Sequence, residues 1–214
     1  DKMAYQILTS CMVVGALACA TFSNTLQAEF VFDDTGAIIN NRDVVSIDRS
    51  LSESSRFWKC MMNHDYWGSP MNVSLHKSYR PLTVLSFRVD FLRSSSKLVP
   101  SRFHFTNVAL HCLVSILVTL VCYVWFFGPA AGPTSSCYSG ALWSGAAGGL
   151  FAVHPVHCEA VAGVVGRADV LAAGASLIAM LAYRRAAVPG LERGARPVWL
   201  RLTSVAGRCG WLLA

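Results

Sequence analysis

Two adjacent carboxylates, Asp33 and Asp34, follow an apolar run of about the length that crosses a bilayer. They lie in an apolar frame formed by Phe30, Phe32, Ile38 and Ile39. A carboxylate can accept the proton of an attacking hydroxyl group, whereas a solvated acidic turn would do no chemistry. The pattern favours a catalytic pair with Asp33 as the base and Asp34 orienting the acceptor or the neighbouring backbone, although the residues leave that order open.

Two further polar groups are predicted to share one side of the membrane with this pair. One contains His76, Lys77 and Arg80, and the other is the stretch HPVHCEAVAGVVGRAD at 154–169. Cationic side chains bind phosphate, and the planar guanidinium of arginine can do so with two hydrogen bonds. The residues expected to bind a substrate phosphate are Lys77, Arg80 and Arg167. The residues expected to support the site are His76, His154, His157, Glu159 and Asp169.

The second group raises the question of a metal. His154 and His157 have the spacing of metal ligands, and Glu159 could complete a set. The sequence offers no second pair of matching spacing, and the proline between the histidines interrupts a helix. We therefore predict no metal site and a capping and packing role for the histidines. Arg167 is expected to pair with Asp169 and so to position the loop.

The composition indicates a membrane protein. Apolar residues make up 54% of the chain and charged residues only 14%, against about 25% charged residues in an average soluble domain. The net charge of +6 comes from basic residues spread over loops and helix ends. That distribution is typical of membrane proteins, whose loops next to the membrane surface are rich in Lys and Arg, rather than of a nucleic-acid-binding patch. We therefore expect no nucleic-acid partner.

Apolar runs predict four membrane spans, at 3–22, 107–127, 139–153 and 170–183. The first has a competing interpretation as a signal peptide, because Ala18-Cys19-Ala20 has the form of a cleavage site. The segment 184–214 is a cytosolic loop followed by a poor fifth span that arginines interrupt. The sequence thus predicts an all-α polytopic membrane protein.

Basic residues predict the orientation of these spans. Lys2 precedes the first span and Arg184-Arg185 closes the fourth, and short loops with such residues stay in the cytosol. The segments 23–106 and 154–169 are then lumenal. The sequon that begins at Asn72 would be open to N-glycosylation.

The long lumenal segment is expected to fold. Its stretch NHDYWGSP mixes aromatic and turn residues, as a hairpin would. After Pro81, apolar residues recur at helical spacing, namely Leu82, Leu85, Val89 and Leu92. This pattern predicts an amphipathic helix in the membrane interface. Lys77 and Arg80 at its head either face an anionic lipid group or belong to a helix that merely covers the bundle.

Four stretches resemble one known family: FVFDDTGAIINNRDV, HKSYRPLTVLSFR, FHFTNVALHCLVS and LFAVHPVHCEAVAGVVGRADVL. From about Phe30 to Tyr183 the chain resembles the transmembrane and TPR-repeat-containing (TMTC) O-mannosyltransferases. The resemblance implies a GT-C-like helix bundle in the endoplasmic reticulum membrane. It implies transfer of mannose from dolichyl phosphate mannose, without a further cofactor, to Ser or Thr of secretory-pathway proteins such as cadherins. It also implies that Asp33 and Asp34 match the acidic pair of the first lumenal loop, whereas the phosphate role of the basic residues rests on their charge alone.

The chain departs from the family pattern after Tyr183. Family members carry further spans and an array of TPR repeats, each about 34 residues of helix–turn–helix, and neither is recognisable here. We therefore expect this chain to be an N-terminal fragment or an incomplete form. Two other functions stay open. A transporter or channel would place ionisable residues near the bilayer midplane, and a non-catalytic membrane adaptor would tolerate neutralisation of Asp33.

Overall fold

The structure is a computed structural model that describes residues 2–46, 58, 61–73, 78–127 and 137–187. These residues are mostly helical and form no β-strand, apart from an isolated antiparallel bridge between His64 and Pro70. The α-helices are α1 (Lys2–Phe22), α2 (Arg42–Val45), α3 (Pro81–Arg93), α4 (Pro100–Cys122), α5 (Cys137–Val153), α6 (Cys158–Ala162) and α7 (Arg167–Ala187). Short 3-10 or π-helical turns lie at Ser23–Gln27, Thr35–Ile39, Tyr123–Phe127 and Pro155–His157.

Within the described residues, three helical stretches are long and apolar enough to cross a membrane, namely Met3–Gln27, Pro100–Phe127 and Arg167–Ala187. The prediction of an all-helical membrane protein is confirmed to this extent. The remaining predicted span, 139–153, lies in α5, whose 17 residues rise about 26 Å. That is slightly less than the roughly 30 Å hydrocarbon core of a bilayer, and the four-span topology stays a prediction. The segment 188–214 lies outside the described residues.

Helix α4, which contains the start of the predicted span 107–127, begins earlier, at Pro100. Proline suits the first position of a helix because the missing N–H has no partner there in any case. The early turns of α4 are polar, which lowered the apparent hydropathy. Two of these polar residues, His104 and Asn107, are buried inside the protein. The helix therefore extends further than an apolar run predicts.

The described residues divide into two compact units. The first, here called the membrane unit, combines 2–21, 111–154 and 173–187. Small residues allow close packing in it, as in membrane helix bundles generally. The Ser10 Oγ donates a hydrogen bond to the carbonyl of Ala141 at 3.1 Å, and a Cβ on Gly145 would lie only 3.1 Å from Ser10.

The second unit, here called the loop unit, combines 22–110 and 155–172. Its buried core is largely aromatic and aliphatic, and consists of Ala37, Ile38, Val44, Tyr66, Val84, Phe87, Phe91, Phe103 and Val164. These residues come from the turn after the acidic pair, from the turn at 64–70, from α2, α3 and α4, and from the segment before α7. One core therefore fixes the elements that carry the candidate site.

Helix α3 has two apolar faces with different surroundings. Val84, Phe87 and Phe91 are buried in the core of the loop unit. The predicted stripe points elsewhere: Leu82 is 72% exposed and Leu92 is 44% exposed. An exposed apolar stripe is what an interfacial helix needs, but its contact with a membrane stays a prediction.

Candidate active site

Asp34 is a buried structural acid in the loop unit. Only 1% of its surface is exposed. Its Oδ2 accepts a hydrogen bond from the N–H of Val31 at 3.0 Å, and its Oδ1 accepts one from the N–H of Val165 at 3.1 Å. Burial raises the pKa of Asp34 above its ordinary value of 3.8, although these two N–H donors lower it in part. Asp34 thus joins the first loop to a segment 131 residues later in the chain.

Asp33, the neighbouring acid, is exposed. A tight turn separates the two acids, since the N–H of Asp34 donates to the carbonyl of Val31 and the N–H of Thr35 donates to that of Phe32. Phe32 has a φ of 45°, a conformation that costs a non-glycine residue of order 1–3 kcal/mol. The turn therefore gives two neighbouring carboxylates opposite environments.

An open cavity of about 310 Å³ lies beside Asp33. Its lining consists of Asp33, Tyr66, Trp67, Ser78, Arg80 and Val165. The sequence predicted roles for Asp33 and Arg80 independently, and the structure brings both to this one cavity. The cavity thus combines a carboxylate, a guanidinium and two aromatic side chains.

Arg80 is held at the start of α3. Its carbonyl accepts hydrogen bonds from the first turn of that helix, from Thr83 at 3.1 Å and Val84 at 3.2 Å. Its exposed guanidinium lies 5.0 Å from the centre of the Tyr66 ring, within the range of a cation–π interaction. This contact orients the positive charge at the cavity while leaving its N–H donors accessible.

Tyr66 and Trp67 are fixed by a hairpin turn, as the stretch NHDYWGSP predicted. The Asp65 Oδ1 accepts hydrogen bonds from Trp67 N at 3.0 Å and Ser69 N at 2.8 Å. Gly68 adopts a positive φ of 79°, which glycine tolerates without strain. The Tyr66 hydroxyl donates to the carbonyl of Val165 at 3.3 Å. Burial raises the pKa of Tyr66, so that the hydroxyl stays protonated and remains a donor.

The segment 163–166, here called the GVVG loop, contributes Val165 to the lining of the cavity. The Nδ2 of Asn107 lies within hydrogen-bond distance of the carbonyls of Gly163 at 3.0 Å and Val164 at 3.4 Å. Gly166 allows a close approach, because a Cβ there would lie 2.6 Å from the Cα of Ala160. Asp34, Tyr66 and Asn107 thus hold this loop through its backbone.

Arg167 lies in the closed core of the loop unit. It has 0% exposure and forms an ion pair with Asp90, with 2.7 Å between Nη1 and Oδ2. It donates further hydrogen bonds to the Asn107 side chain, the Ser86 hydroxyl and the Phe103 carbonyl. The expected pair with Asp169 is wrong, because Asp169 is exposed while Arg167 pairs with Asp90. The predicted phosphate role of Arg167 stays a prediction, and the geometry gives this residue a structural one.

The remaining predicted residues lie apart from the cavity lining or outside the described residues. His154, Glu159 and Asp169 are exposed, and His157 is half-buried. No group of three His, Cys, Asp or Glu side chains within the described ranges could hold a metal ion. Asn72 is exposed in a turn after the hairpin. His76 and Lys77 lie outside the described residues.

The sequence interpretation missed Asp90 and gave Tyr66 and Trp67 no role at the site. A signal for Asp90 existed, since an acid within the apolar part of α3 must find a partner when it is buried. Tyr66 and Trp67 carried no comparable signal, because an aromatic pair in a hairpin is equally typical of a hydrophobic core. Only the arrangement of the cavity shows that both also line the candidate site.

The cavity has groups for three tasks. The exposed Asp33 carboxylate can accept a proton from a hydroxyl group. The Arg80 guanidinium can bind a phosphate with charge-assisted hydrogen bonds. The half-buried Trp67 ring offers an apolar surface to a ring-shaped substrate, whereas the Tyr66 ring is buried and contacts the Arg80 guanidinium. This set suits a phosphorylated, ring-containing molecule and a hydroxyl acceptor.

Comparisons with known proteins find several protein O-mannosyl-transferases that are similar in sequence to this chain. The protein O-mannosyl-transferase TMTC4 of Mus musculus is 42% identical over 177 residues, which cover 82% of this chain and 23% of that protein. The protein O-mannosyl-transferase TMTC1 of Homo sapiens is 38% identical over 209 residues, or 94% of this chain and 21% of that protein. The protein O-mannosyl-transferase Tmtc1 of Drosophila melanogaster is 43% identical over 171 residues, or 79% of this chain and 17% of that protein. The chain thus spans about a fifth of the length of these relatives. No family model and no solved structure matches it.

Proposed function

Because this chain belongs to the TMTC family, we propose that its loop unit carries the active site of a protein O-mannosyltransferase. The observation that supports this most directly is the cavity in which Asp33 and Arg80 meet. The proposed donor is dolichyl phosphate mannose, and the proposed acceptor is a Ser or Thr hydroxyl of a secretory-pathway protein. Cadherin-like acceptors follow from the resemblance alone.

In the proposed reaction, Asp33 takes the proton of the acceptor hydroxyl as its oxygen attacks the anomeric carbon of mannose. A bond forms between that oxygen and the anomeric carbon, and the bond from the carbon to the phosphate oxygen breaks. Dolichyl phosphate leaves with the bonding electron pair. Attack opposite the departing phosphate would invert the anomeric configuration.

Arg80 is proposed to stabilise the leaving phosphate. Its guanidinium is exposed at the cavity and braced against Tyr66, so that its N–H donors can reach an oxyanion. The positive charge of Arg80 serves the purpose that a divalent cation would serve elsewhere, and the proposal therefore needs no cofactor beyond the lipid-linked sugar. Lys77, three residues earlier in the chain, is proposed to add a second positive charge.

Asp34 is proposed to be a positioning residue. Its carboxylate holds the N–H of Val165, and Val165 lines the cavity. Asp34 thereby fixes the backbone of a residue that lines the same cavity as Asp33. The exposure of Asp33 and the burial of Asp34 support this choice between the two acids.

The proposed setting is a GT-C-like helix bundle in the endoplasmic reticulum membrane, with the loop unit on the lumenal side. The lumenal orientation agrees with the basic residues that end α7, Arg184 and Arg185. In that setting the donor's phosphate lies at the membrane surface, where the acidic pair follows the first span. The chain would then contribute the site to a larger protein.

The test measures mannose transfer from dolichyl phosphate mannose to an acceptor peptide in membranes that contain the protein. Asp33→Asn should lower the rate about 10²–10⁴-fold, which is the usual contribution of a general base. The matched control is Asp169→Asn, an exposed acid of the same unit that does not line the cavity, and it should leave transfer unchanged. Normal transfer by Asp33→Asn at normal expression would rule out this site and favour an adaptor.

A further inference from the structure

Two cysteines from different helices meet in the membrane unit. Cys19 lies in α1 and Cys112 lies in α4. The side chain of Cys112 is within hydrogen-bonding reach of the Cys19 thiol, and both residues are free thiols in the structure. Neither of them lines the cavity of the loop unit. The pair therefore brings together two groups that can react with each other and that the proposed transfer does not use.

The packing of α1 against α4 holds the Cys112 sulfur beside the turn that carries Cys19. The Cys112 Sγ donates a hydrogen bond to the carbonyl of Gly15 at 3.5 Å. In an α-helix this carbonyl also accepts the N–H of the residue four positions later, which is Cys19 in α1. Cys112 packs as well against a buried cluster that contains Val14 and Ala18. Three contacts with one stretch of α1 thus fix the position of this sulfur.

The absence of a side chain at Gly15 explains the close approach of the two helices. A Cβ on Gly15 would lie only 3.3 Å from the side chain of Ile116, and Ile116 follows Cys112 by one turn of α4. Small residues at a contact allow membrane helices to pack with their backbones close together. A disulfide requires the Cβ atoms of two cysteines to lie about 3.5–4.5 Å apart, and only a close helix contact permits this spacing.

We propose that Cys19 and Cys112 form an intramolecular disulfide when the protein meets a disulfide oxidant. The thiolate of Cys19, the exposed member of the pair, attacks one sulfur of the oxidant, which forms a mixed disulfide and releases one oxidant thiolate. The Cys112 thiolate then attacks the Cys19 sulfur, the bond between the two cysteines forms, and the second oxidant thiolate leaves. The two cysteine thiols together lose two electrons and two protons, and the oxidant is reduced to two thiols.

The bond would have a defined effect on the chain. It would close residues 19–112 into one covalent ring that contains Asp33, Arg80 and most of the loop unit. Such a ring restricts the unfolded chain, so the oxidised protein should be more stable than the reduced one. The inference concerns a covalent link between two helices and does not depend on the proposed transfer activity.

The first test maps the bond by mass spectrometry. The protein is reconstituted into nanodiscs and treated with a limiting amount of dithiodipyridine, an apolar disulfide that enters membranes. Remaining thiols are then alkylated and the protein is digested. A peptide pair joined through Cys19 and Cys112 should be several-fold more abundant than any other cysteine pair and should disappear after reduction. Recovery of both residues as alkylated thiols, or in bonds to other cysteines, would overturn the inference.

The second test measures Tm before and after oxidation. Oxidation should raise the Tm of the parent, and Cys19→Ser and Cys112→Ser should each abolish this rise. The matched control is Cys122→Ser, which removes another partly buried thiol of α4 and should keep the rise. If Cys112→Ser fails to fold, the variant at the exposed Cys19 decides alone, and a rise that persists in Cys19→Ser would contradict the proposed bond. None of these readouts involves mannose transfer, so a failure of the proposed function would leave them unchanged.

Discussion

The loop unit contains two acid–arginine sets that behave in opposite ways. At the cavity, Asp33 and Arg80 are exposed, and the Arg80 guanidinium contacts the ring of Tyr66. In the core, Asp90 and Arg167 form a 2.7 Å ion pair that is closed to solvent. Helix α3 contributes to both sets, with Arg80 at its start and Asp90 near its end. The residue types are the same, and the difference lies in whether the charges already have partners.

This difference decides which set can do chemistry. Arg167 donates to three further groups besides Asp90, so a substrate would have to displace existing bonds. The Arg80 guanidinium contacts the Tyr66 ring, and its positive charge remains available to a substrate. We infer that the core pair holds the architecture and that the cavity set acts on a substrate. The following substitutions test that division of roles.

The largest effect on stability is expected from Asp90→Asn. Removing one partner of a buried ion pair leaves the other charge uncompensated, which typically costs about 3–5 kcal/mol of the free energy of unfolding. Thermal unfolding of the reconstituted protein should show a large drop in Tm. The double variant Asp90→Leu with Arg167→Met should recover much of the loss, because no charge then remains buried. If Asp90→Asn were as stable as the parent, the core pair would not be structural.

A smaller and different effect is expected from Arg80→Ala. A charge-assisted hydrogen bond contributes about 1.5–3 kcal/mol, so mannose transfer should fall roughly 10- to 100-fold while Tm stays unchanged. The transfer rate of Arg80→Lys should lie between those of the parent and Arg80→Ala, since lysine keeps the charge but lacks the planar group that stacks on Tyr66. The control is Arg42→Ala, an exposed arginine of the same unit. A drop in Tm without a change in mannose transfer would show that Arg80 stabilises the fold, as the core pair does, and does not act on the substrate.

The smallest effect is expected from the pH dependence of Asp34. Its pKa is raised by burial, so the folded state holds this proton more tightly than the unfolded chain does. The contribution of Asp34 to stability is therefore greatest below its ordinary pKa of 3.8 and declines as the pH rises through the folded-state value. Relative to Asp34→Asn, whose side chain does not titrate, the parent should lose Tm as the pH rises above 3.8 and through the raised folded-state pKa of Asp34. A parent that instead gains Tm over this range would show that the two N–H donors outweigh burial.

Of the six residues that line the cavity, the sequence predicted a role for two, Asp33 and Arg80. The acidic pair, Arg80, the hairpin and the helical spacing of α3 all follow from local patterns. The exposure of Asp33 and the burial of Asp34 could not be predicted, because they depend on a turn with Phe32 at positive φ and on the packing of Asp34 against a residue 131 positions away. The partner of Arg167 was also missed, since Asp90 lies 77 positions earlier and local spacing suggested Asp169 instead. Long-range pairing depends on how the elements pack, and a single sequence does not show it.

The attachment of the GVVG loop to Asp34 has a consequence for biosynthesis. Asp34 and Val165 are 131 residues apart, so a ribosome working at roughly 5–20 residues per second makes Val165 about 7–26 seconds after Asp34. During that interval the carboxylate of the nascent chain has no partner at Val165, and the cavity lacks one wall. A chaperone that binds the nascent chain would therefore meet a loop unit whose cavity is still incomplete, and formation of the contact between Asp34 and Val165 would mark the loop unit as complete.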